Sequence, residues 1–375
     1  MNDERAVLDD LMPGFDDKLA THPRDVLEAP GGPSLELFKA VDGPGLLVPR
    51  DSGGLGATAM QAVATQIAVG SRSGSLAVAT TMHHFSMASL LALARTSDTG
   101  LEAVLVEAVA SQRHLLASGF AEGRPGAGIL SPTMDARRVA GGLLVDGVKK
   151  PCSLARSMTM LTASVAISEP DSTSPELAVV LIPAETPGLS VEPFWRSPVL
   201  AGAESDAIRL ENVFVPDQLV VRTTMRSGGA LDRTHRIGFL WFELLMTASY
   251  LGIAYGLLED ALATPRASDA TVVNAWAQLA STKAALAHLA SQLDAGVGDD
   301  QLLGQMLLCR YQLQAAMPAV GAGCLEALGG MSFIQSPDIA HRVASLSCLA
   351  FHPPSLSRAV VPLRRLYEGH ALDFD

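Results

Sequence analysis

The sequence is most informative first through what it has little of. Its four cysteines, Cys152, Cys309, Cys324 and Cys348, stand far apart among 375 residues. They show neither CxxC nor Cys/His ligand spacing, so they read as reduced thiols and no metal site is expected. Basic residues are outnumbered, 27 Lys and Arg against 39 Asp and Glu, for a formal net charge of −12. No cluster of Lys and Arg offers the phosphate-binding surface that nucleic-acid recognition requires. No run of about 18 uninterrupted apolar residues appears, so a membrane span is not expected. The opening Met1-Asn-Asp-Glu-Arg-Ala lacks the basic and apolar regions of a signal peptide, and a cytoplasmic protein is expected. No internal repeat or low-complexity tract is visible.

What is present is hydrophobic residues at 48% and a three-part organisation. Residues 1–112 read as a helical domain. Its long apolar helix pattern carries the adjacent pair His83 and His84, of which only one can face a given site because neighbours on a helix point about 100° apart. The turn Ser52-Gly53-Gly54-Leu55-Gly56 lacks the Lys-Ser/Thr tail of a phosphate loop and is expected to be a tight turn between helices. Residues 113–222 read as a β-domain, because apolar, partly β-branched runs such as Leu177–Ile182 are cut by Pro, Gly and Asn. Residues 223–375 return to helical periodicity, with an apolar helix at 236–262, further helices at 274–293, 301–328 and 341–350, and a last one at 356–368. The 301–328 helix is expected to stop at Gly329-Gly330. The surplus apolar surface points to a subunit interface.

Several short marks then line up in order: Gly45-Leu-Leu-Val-Pro49 with Gly53-Gly54-Leu55-Gly56, Asp146-Gly147-Val148-Lys149, Thr186-Pro187-Gly188-Leu189, Val213-Phe-Val-Pro216 and Ala327-Leu328-Gly329-Gly330. Together they resemble the acyl-CoA dehydrogenase superfamily over nearly the whole chain. The resemblance implies an α+β, mainly α fold: an N-terminal helical domain, a middle β-domain and a C-terminal helical bundle. It also implies a flavin, expected as FAD with FMN or transiently bound reduced flavin as alternatives, and a homodimer or homotetramer. Carried over by position, the flavin would meet the Phe120, Ala121 and Glu122 segment, Cys152 and Ser153, and the Gly329-Gly330 turn. A hydroxyl or backbone N–H there can hold the ring and stabilise negative charge on its reduced form. Ser153 can equally be a turn hydroxyl satisfying its own backbone. His84 and Tyr250 are candidate substrate-binding residues.

The sequence departs from the family pattern in three places. The segment after the long helix has only Arg266 where the family carries Arg-x-x-Phe-Gly to hold the pyrophosphate, and loss of a bidentate donor weakens that hold. Glu326 replaces a Gln before the Gly-Gly. The family's Tyr-Glu-Gly-Thr base motif is replaced by Phe351-His352-Pro353-Pro354-Ser355, with His352 at the Glu position. A neutral His can abstract a proton, although it can also cap or pack a helix end. Glu243, a lone carboxylate in the apolar Trp241-Phe-Glu-Leu-Leu245, is the other candidate base, since burial raises a carboxyl into the useful range. A salt bridge to Arg233 or Arg236 is the competing account of it.

Three functions follow from the resemblance. The first is a flavin oxidoreductase that removes α and β hydrogens from an acyl thioester on CoA or acyl carrier protein, passing electrons to an acceptor, with Glu243 or His352 as base. The second is a two-component monooxygenase fed reduced flavin by a partner reductase, since Lys149-x-x-Cys152-Ser153 and His352-Pro are similar to the dibenzothiophene monooxygenase type. The third is a flavin-less binding or assembly subunit.

Overall fold

The computed structural model describes residues 1–95, 100–123, 132–168, 175–226, 233–264 and 268–374, with backbone alone at 222–226 and 233–234. Arg266 and the side chain of Arg233 lie outside the described residues.

Among the described residues seven α-helices open the chain: α1 (Asn2–Leu11), α2 (Phe15–Ala20), α3 (Arg24–Glu28), α4 (Ser34–Ala40), α5 (Ala59–Arg72), α6 (Gly74–Ala94) and α7 (Leu101–Gln112). The start of α5 is specified locally. Thr58 and Gln61 form a reciprocal capping box, and the Asp294 carboxylate accepts from the Ala59 and Met60 amides at 2.6 and 3.1 Å. The Gly53–Gly56 stretch is the expected turn, with Gly53 and Gly56 at φ 82° and 64°.

Eight strands follow among the described residues: β1 (Leu116–Gly119), β2 (Asp135–Val139), β3 (Gly142–Cys152), β4 (Met160–Ser168), β5 (Glu176–Pro183), β6 (Leu189–Glu192), β7 (Asp206–Pro216) and β8 (Val220–Arg226). They form one sheet in the order β6-β7-β3-β2-β4-β5-β8. β1 and β2 run parallel to β4 along successive parts of one of its edges. β3 slips register against β7 between Lys149 and Cys152, which turns the strand just before Ser153. The strand β8 runs on to Arg226, so the division expected at 222/223 falls inside it.

The chain closes with α8 (Arg233–Leu262), α9 (Asp269–Asp294), α10 (Asp300–Gln335), α11 (Pro337–Leu346) and α12 (Leu356–Tyr367). As expected, regular helical backbone breaks at Gly329, at φ 80°, ψ 161°, and beyond that kink a second helical segment runs on to Gln335 within the span of α10. The helix expected at 341–350 instead starts at the N1 proline Pro337 and gives way to a tight 3-10 turn over Ser347–Phe351.

Helix α8 is apolar on all sides because it is enclosed on all sides. It lies so close to α5 that a Cβ on Gly252 would sit 2.3 Å from the Ile67 carbonyl, and one on Gly70 2.4 Å from that of Ser249. Between α5, α6 and α8, the buried Gln66 amide donates to the Ala77 carbonyl at 2.9 Å, Thr81 Oγ1 at 2.7 Å and Ser249 Oγ at 3.0 Å. By length and composition α6, α8 and α10 are each apolar enough to cross a membrane. In α8 that apolar surface is taken up by packing, with 89% of its most apolar window buried inside the protein.

Candidate active site

The sheet and the helices enclose a cavity of about 210 Å³ where α6, β1, the end of β3, α8 and the turn after α11 converge. α6 presents Val78, Met82, Phe85 and Ser89, spaced four, three and four apart so that they share one face. α8 presents His235, Phe239, Phe242 and Tyr250, with Gly238 leaving room opposite Ser89. β1 and the segment after it supply Ser118, Phe120 and Ala121, the residue after β3 is Ser153, and the connection between β6 and β7 supplies Trp195 and Ser205. The turn supplies Cys348, Phe351, His352 and Pro353.

Aromatic rings connect these walls. Phe85 meets Phe120 at 5.9 Å and Phe242 at 5.5 Å between centroids. Phe242 meets His352 at 6.2 Å, and His352 meets Tyr250 at 5.5 Å. Against this apolar lining stand two polar pairs. Ser153 Oγ lies 2.9 Å from Ser205 Oγ, and the Tyr250 hydroxyl lies 2.9 Å from His352 Nε2. Burial pushes His352 down to about 3, helped by the nearby positive Arg310, and it pushes the Tyr250 phenol well above its ordinary value. Both are neutral over the physiological range and share one proton along their hydrogen bond.

The turn carrying His352 is held from behind. The Arg310 guanidinium donates to the Pro353 carbonyl at 3.1 Å and to that of Pro354, while Tyr311 donates to Pro354 O at 2.8 Å. Arg310 also donates to Glu243 Oε1 at 3.1 Å. Both side chains are fully buried. Burial pushes the Glu243 carboxyl up to about 7 against the pull of Arg310. Glu243 is therefore not a free carboxylate facing a substrate. It sits behind the cavity wall, and its ion-pair partner is Arg310. Arg236 pairs instead with Asp300 at 2.8 Å.

The other expected site residues divide into two groups. Phe120, Ala121, Ser153, Tyr250 and His352 meet in the cavity. Glu122 does not. Its carboxylate accepts from the Thr133 and Met134 amides and from the buried Lys149 ammonium at 2.8 Å, which ties the segment after β1 to β3. Burial works to raise the Glu122 carboxyl, but its bonds to Lys149 and Thr133 outweigh that and hold it below the usual range. Cys152 is turned into the sheet, where its thiol donates to Ser118 O at 3.3 Å and burial pushes it up to about 12. Gly329 and Gly330 lie outside the cavity at the α10 kink, where a methyl added at either position would meet nothing within 4 Å.

His84 lies away from the cavity as well. Its ring packs edge-on to Phe38 and His83, and neither ring nitrogen has a hydrogen-bond partner. His83 Nδ1 accepts from the Leu116 amide at 3.1 Å, so its Nε2 carries the proton given to the Pro44 carbonyl at 2.8 Å. The α6 face that carries both histidines is opposite the one lining the cavity.

Reading the sequence missed Ser205, Trp195, His235 and Arg310. Arg310 had the same signal as Glu243, a lone charge in the apolar run Leu307-Leu-Cys-Arg-Tyr311. Nothing local marks Ser205 or Trp195.

No protein-family model matches the chain. The isobutylamine N-hydroxylase of Streptomyces viridifaciens is 41% identical over 366 residues, covering 97% of this chain and 96% of that one. Among solved structures, FMN-bound TdsC of Paenibacillus sp. A11-2 superposes with a TM-score of 0.84 at 17% identity, over 99% of this chain and 98% of that one. The nitrososynthase of Micromonospora carbonacea var. africana does so with a TM-score of 0.85 at 20% identity, over 98% and 97%. At these identities the structures establish a shared fold, the acyl-CoA dehydrogenase type expected from the sequence.

Proposed function

The chain belongs to the family of the isobutylamine N-hydroxylase of Streptomyces viridifaciens, and from that membership we propose that it is a flavin-dependent monooxygenase that hydroxylates the nitrogen of a small amine. The observation carrying the reading is end-to-end identity of 41% to an enzyme with that activity, on a chain whose cavity is apolar and holds a neutral His352–Tyr250 pair. Removing the α-proton of an acyl thioester calls for a base in the cavity. Of the two candidates Glu243 faces Arg310 behind the wall, and His352, which does line the cavity, is pushed down to about 3 by burial and Arg310 and is a weak base there. That geometry favours the monooxygenase reading over dehydrogenation.

The donor set fits the ring system of a flavin. Aromatic and aliphatic walls suit its faces, and the paired hydroxyls of Ser153 and Ser205 offer hydrogen bonds to a polar, uncharged edge. Phe120, Ala121, Trp195, Ser153 and Ser205 are the residues that would hold it, as FMN or FAD. Among the described residues no Lys or Arg lines the cavity, so a phosphate group would be held outside it. When bound in its reduced form, the flavin supplies the two electrons that let dioxygen be split between product and water.

The chain's own residues set the conditions for that chemistry. The ring series from Phe120 through Phe85 and Phe242 to His352 makes this side of the reacting space apolar, which disfavours water there. His352 and Tyr250 are joined by one hydrogen bond between Nε2 and the phenolic oxygen, and as a neutral pair they orient a polar group without placing a charge in the cavity. Arg310 fixes the backbone of the His352 turn, so the imidazole does not have to be ordered when substrate arrives. A flavin reductase is the partner that would supply reduced flavin.

The test is to combine the purified protein with a flavin reductase, NADH, flavin, oxygen and isobutylamine, and to look for the hydroxylamine by mass spectrometry. The expected result is oxygen-dependent N-hydroxylation that is lost without the reductase. Anaerobic bleaching of bound flavin by an acyl thioester, with no hydroxylamine formed from any amine, would replace the reading with dehydrogenation.

A further inference from the structure

A primary alkylamine has an acidity close to that of a lysine side chain, ~10.4, so near pH 7.4 only about one molecule in a thousand is uncharged. An enzyme acting on it must either bind the abundant cation and remove its proton later, or select the rare free base. The two choices leave different marks on a cavity. A cation site needs an anion or a strongly polar cage, because burying an unpaired ammonium is costly.

The titratable groups in this cavity wall are His235, Tyr250, Cys348 and His352, and among the described residues no Asp, Glu, Lys or Arg lines it. The Tyr250 phenol and the Cys348 thiol are the two that could become anions, and burial pushes both upward. Behind the wall Glu122 pairs with Lys149 and Glu243 with Arg310, while Glu204, next to the wall residue Ser205, is buried with its Oε2 unpartnered but does not line the cavity. The Arg310 guanidinium, 3.1 Å from the Pro353 carbonyl, has Glu243 beside it, so this pair presents no free counter-charge to a cation in the cavity. A ring face returns only part of the hydration an ammonium loses on entering.

We propose that the cavity selects the uncharged free base of a small primary alkylamine, with the neutral His352–Tyr250 pair as its hydrogen-bonding partner and the alkyl chain against Phe85 and Phe242. The proposal rests on the N-hydroxylase reading and specifies the form of its substrate. The ammonium leaves its proton in solvent, and the amine enters with its lone pair free. The nitrogen lone pair forms the N–O bond as the O–O bond of reduced dioxygen breaks. The balance is R–NH2 plus O2 plus reduced flavin, carrying two electrons and two protons, giving R–NHOH, water and oxidised flavin.

Two readouts test this. The first is calorimetric titration of isobutylamine into the flavin-loaded protein near neutral pH, in two buffers of different ionisation enthalpy. Close to one proton released per amine bound is expected. The second is the KM for total isobutylamine, expected to fall about tenfold for each unit of pH between about 6.5 and 8.5 while kcat changes little, because only the neutral fraction binds. Binding without proton release, a KM flat across that range, or no binding of any alkylamine would overturn the proposal. The N-hydroxylase reading fails separately, if amine binding releases its proton but no hydroxylamine forms at any pH.

Discussion

Arg310 and Glu243 face each other at 3.1 Å with both side chains fully buried, and the same guanidinium holds the carbonyls of the turn that carries His352. The pair therefore couples the interior of the helical bundle to the cavity. Arg310→Met leaves a buried carboxyl without its partner and the Pro353 carbonyl without a donor, and leaves Pro354 O to Tyr311 alone. It is expected to cost on the order of 3 kcal/mol or more in urea unfolding. Adding Glu243→Leu should restore part of that stability but not the hydroxylation rate, because His352 remains unanchored. Full recovery of both would show that Arg310 does not position the turn.

Glu243 itself should be dispensable for the chemistry. Glu243→Gln, assayed per folded molecule, is expected to keep hydroxylation within about threefold, less than the loss of ~10²-fold or more that removing a general base produces. A collapse of turnover in a well-folded Glu243→Gln protein would return the carboxylate to the reacting site.

The buried His83 gives a pH test of stability. Burial pushes it down to about 4 from an unfolded value of 6.5, against the effect of its bond to Pro44. The folded protein therefore binds fewer protons than the unfolded one between those values. Stability from the neutral ring is complete above pH 6.5 and is lost as pH falls toward 4, by about 3 kcal/mol. His83→Gln can accept from Leu116 and donate to Pro44, so it is expected to fold while losing that part of the acid sensitivity. An unchanged slope of stability against pH in the variant would assign the sensitivity elsewhere.

The Ser153–Ser205 pair offers a direct test of the flavin site. Ser153→Ala and Ser205→Ala should each weaken flavin binding by roughly threefold to tenfold, the effect of one neutral hydrogen bond, read from quenching of flavin fluorescence. Affinity unchanged in both variants would place the flavin away from these hydroxyls.

Phe242 joins the α6 wall to the His352 turn at 5.5 and 6.2 Å. Phe242→Ala should cost about 3 kcal/mol in stability and enlarge the cavity. The ratio of kcat/KM should then move toward bulkier amines, measured with a series from isobutylamine to benzylamine. A parallel loss for every amine would mean that Phe242 does not bound the substrate.

The sequence by itself determined the order of helices and strands and, through the resemblance its short marks carry, the fold. Apolar periodicity and the Pro and Gly punctuation of 116–216 are local properties, and local properties survive in one dimension. It also singled out His352, Tyr250 and Ser153, which the fold brings to one cavity. It could not pair Glu243 with Arg310, 67 residues away, because neither helix states which of its faces will meet the other. Nor could it separate His84 from the cavity, since an apolar helix enclosed on every side has no polar face to show its orientation. Ser205 and Trp195 stayed hidden for a related reason. Their place beside Ser153 comes from the pairing of β3 with β7, a contact between distant segments that only the tertiary structure decides.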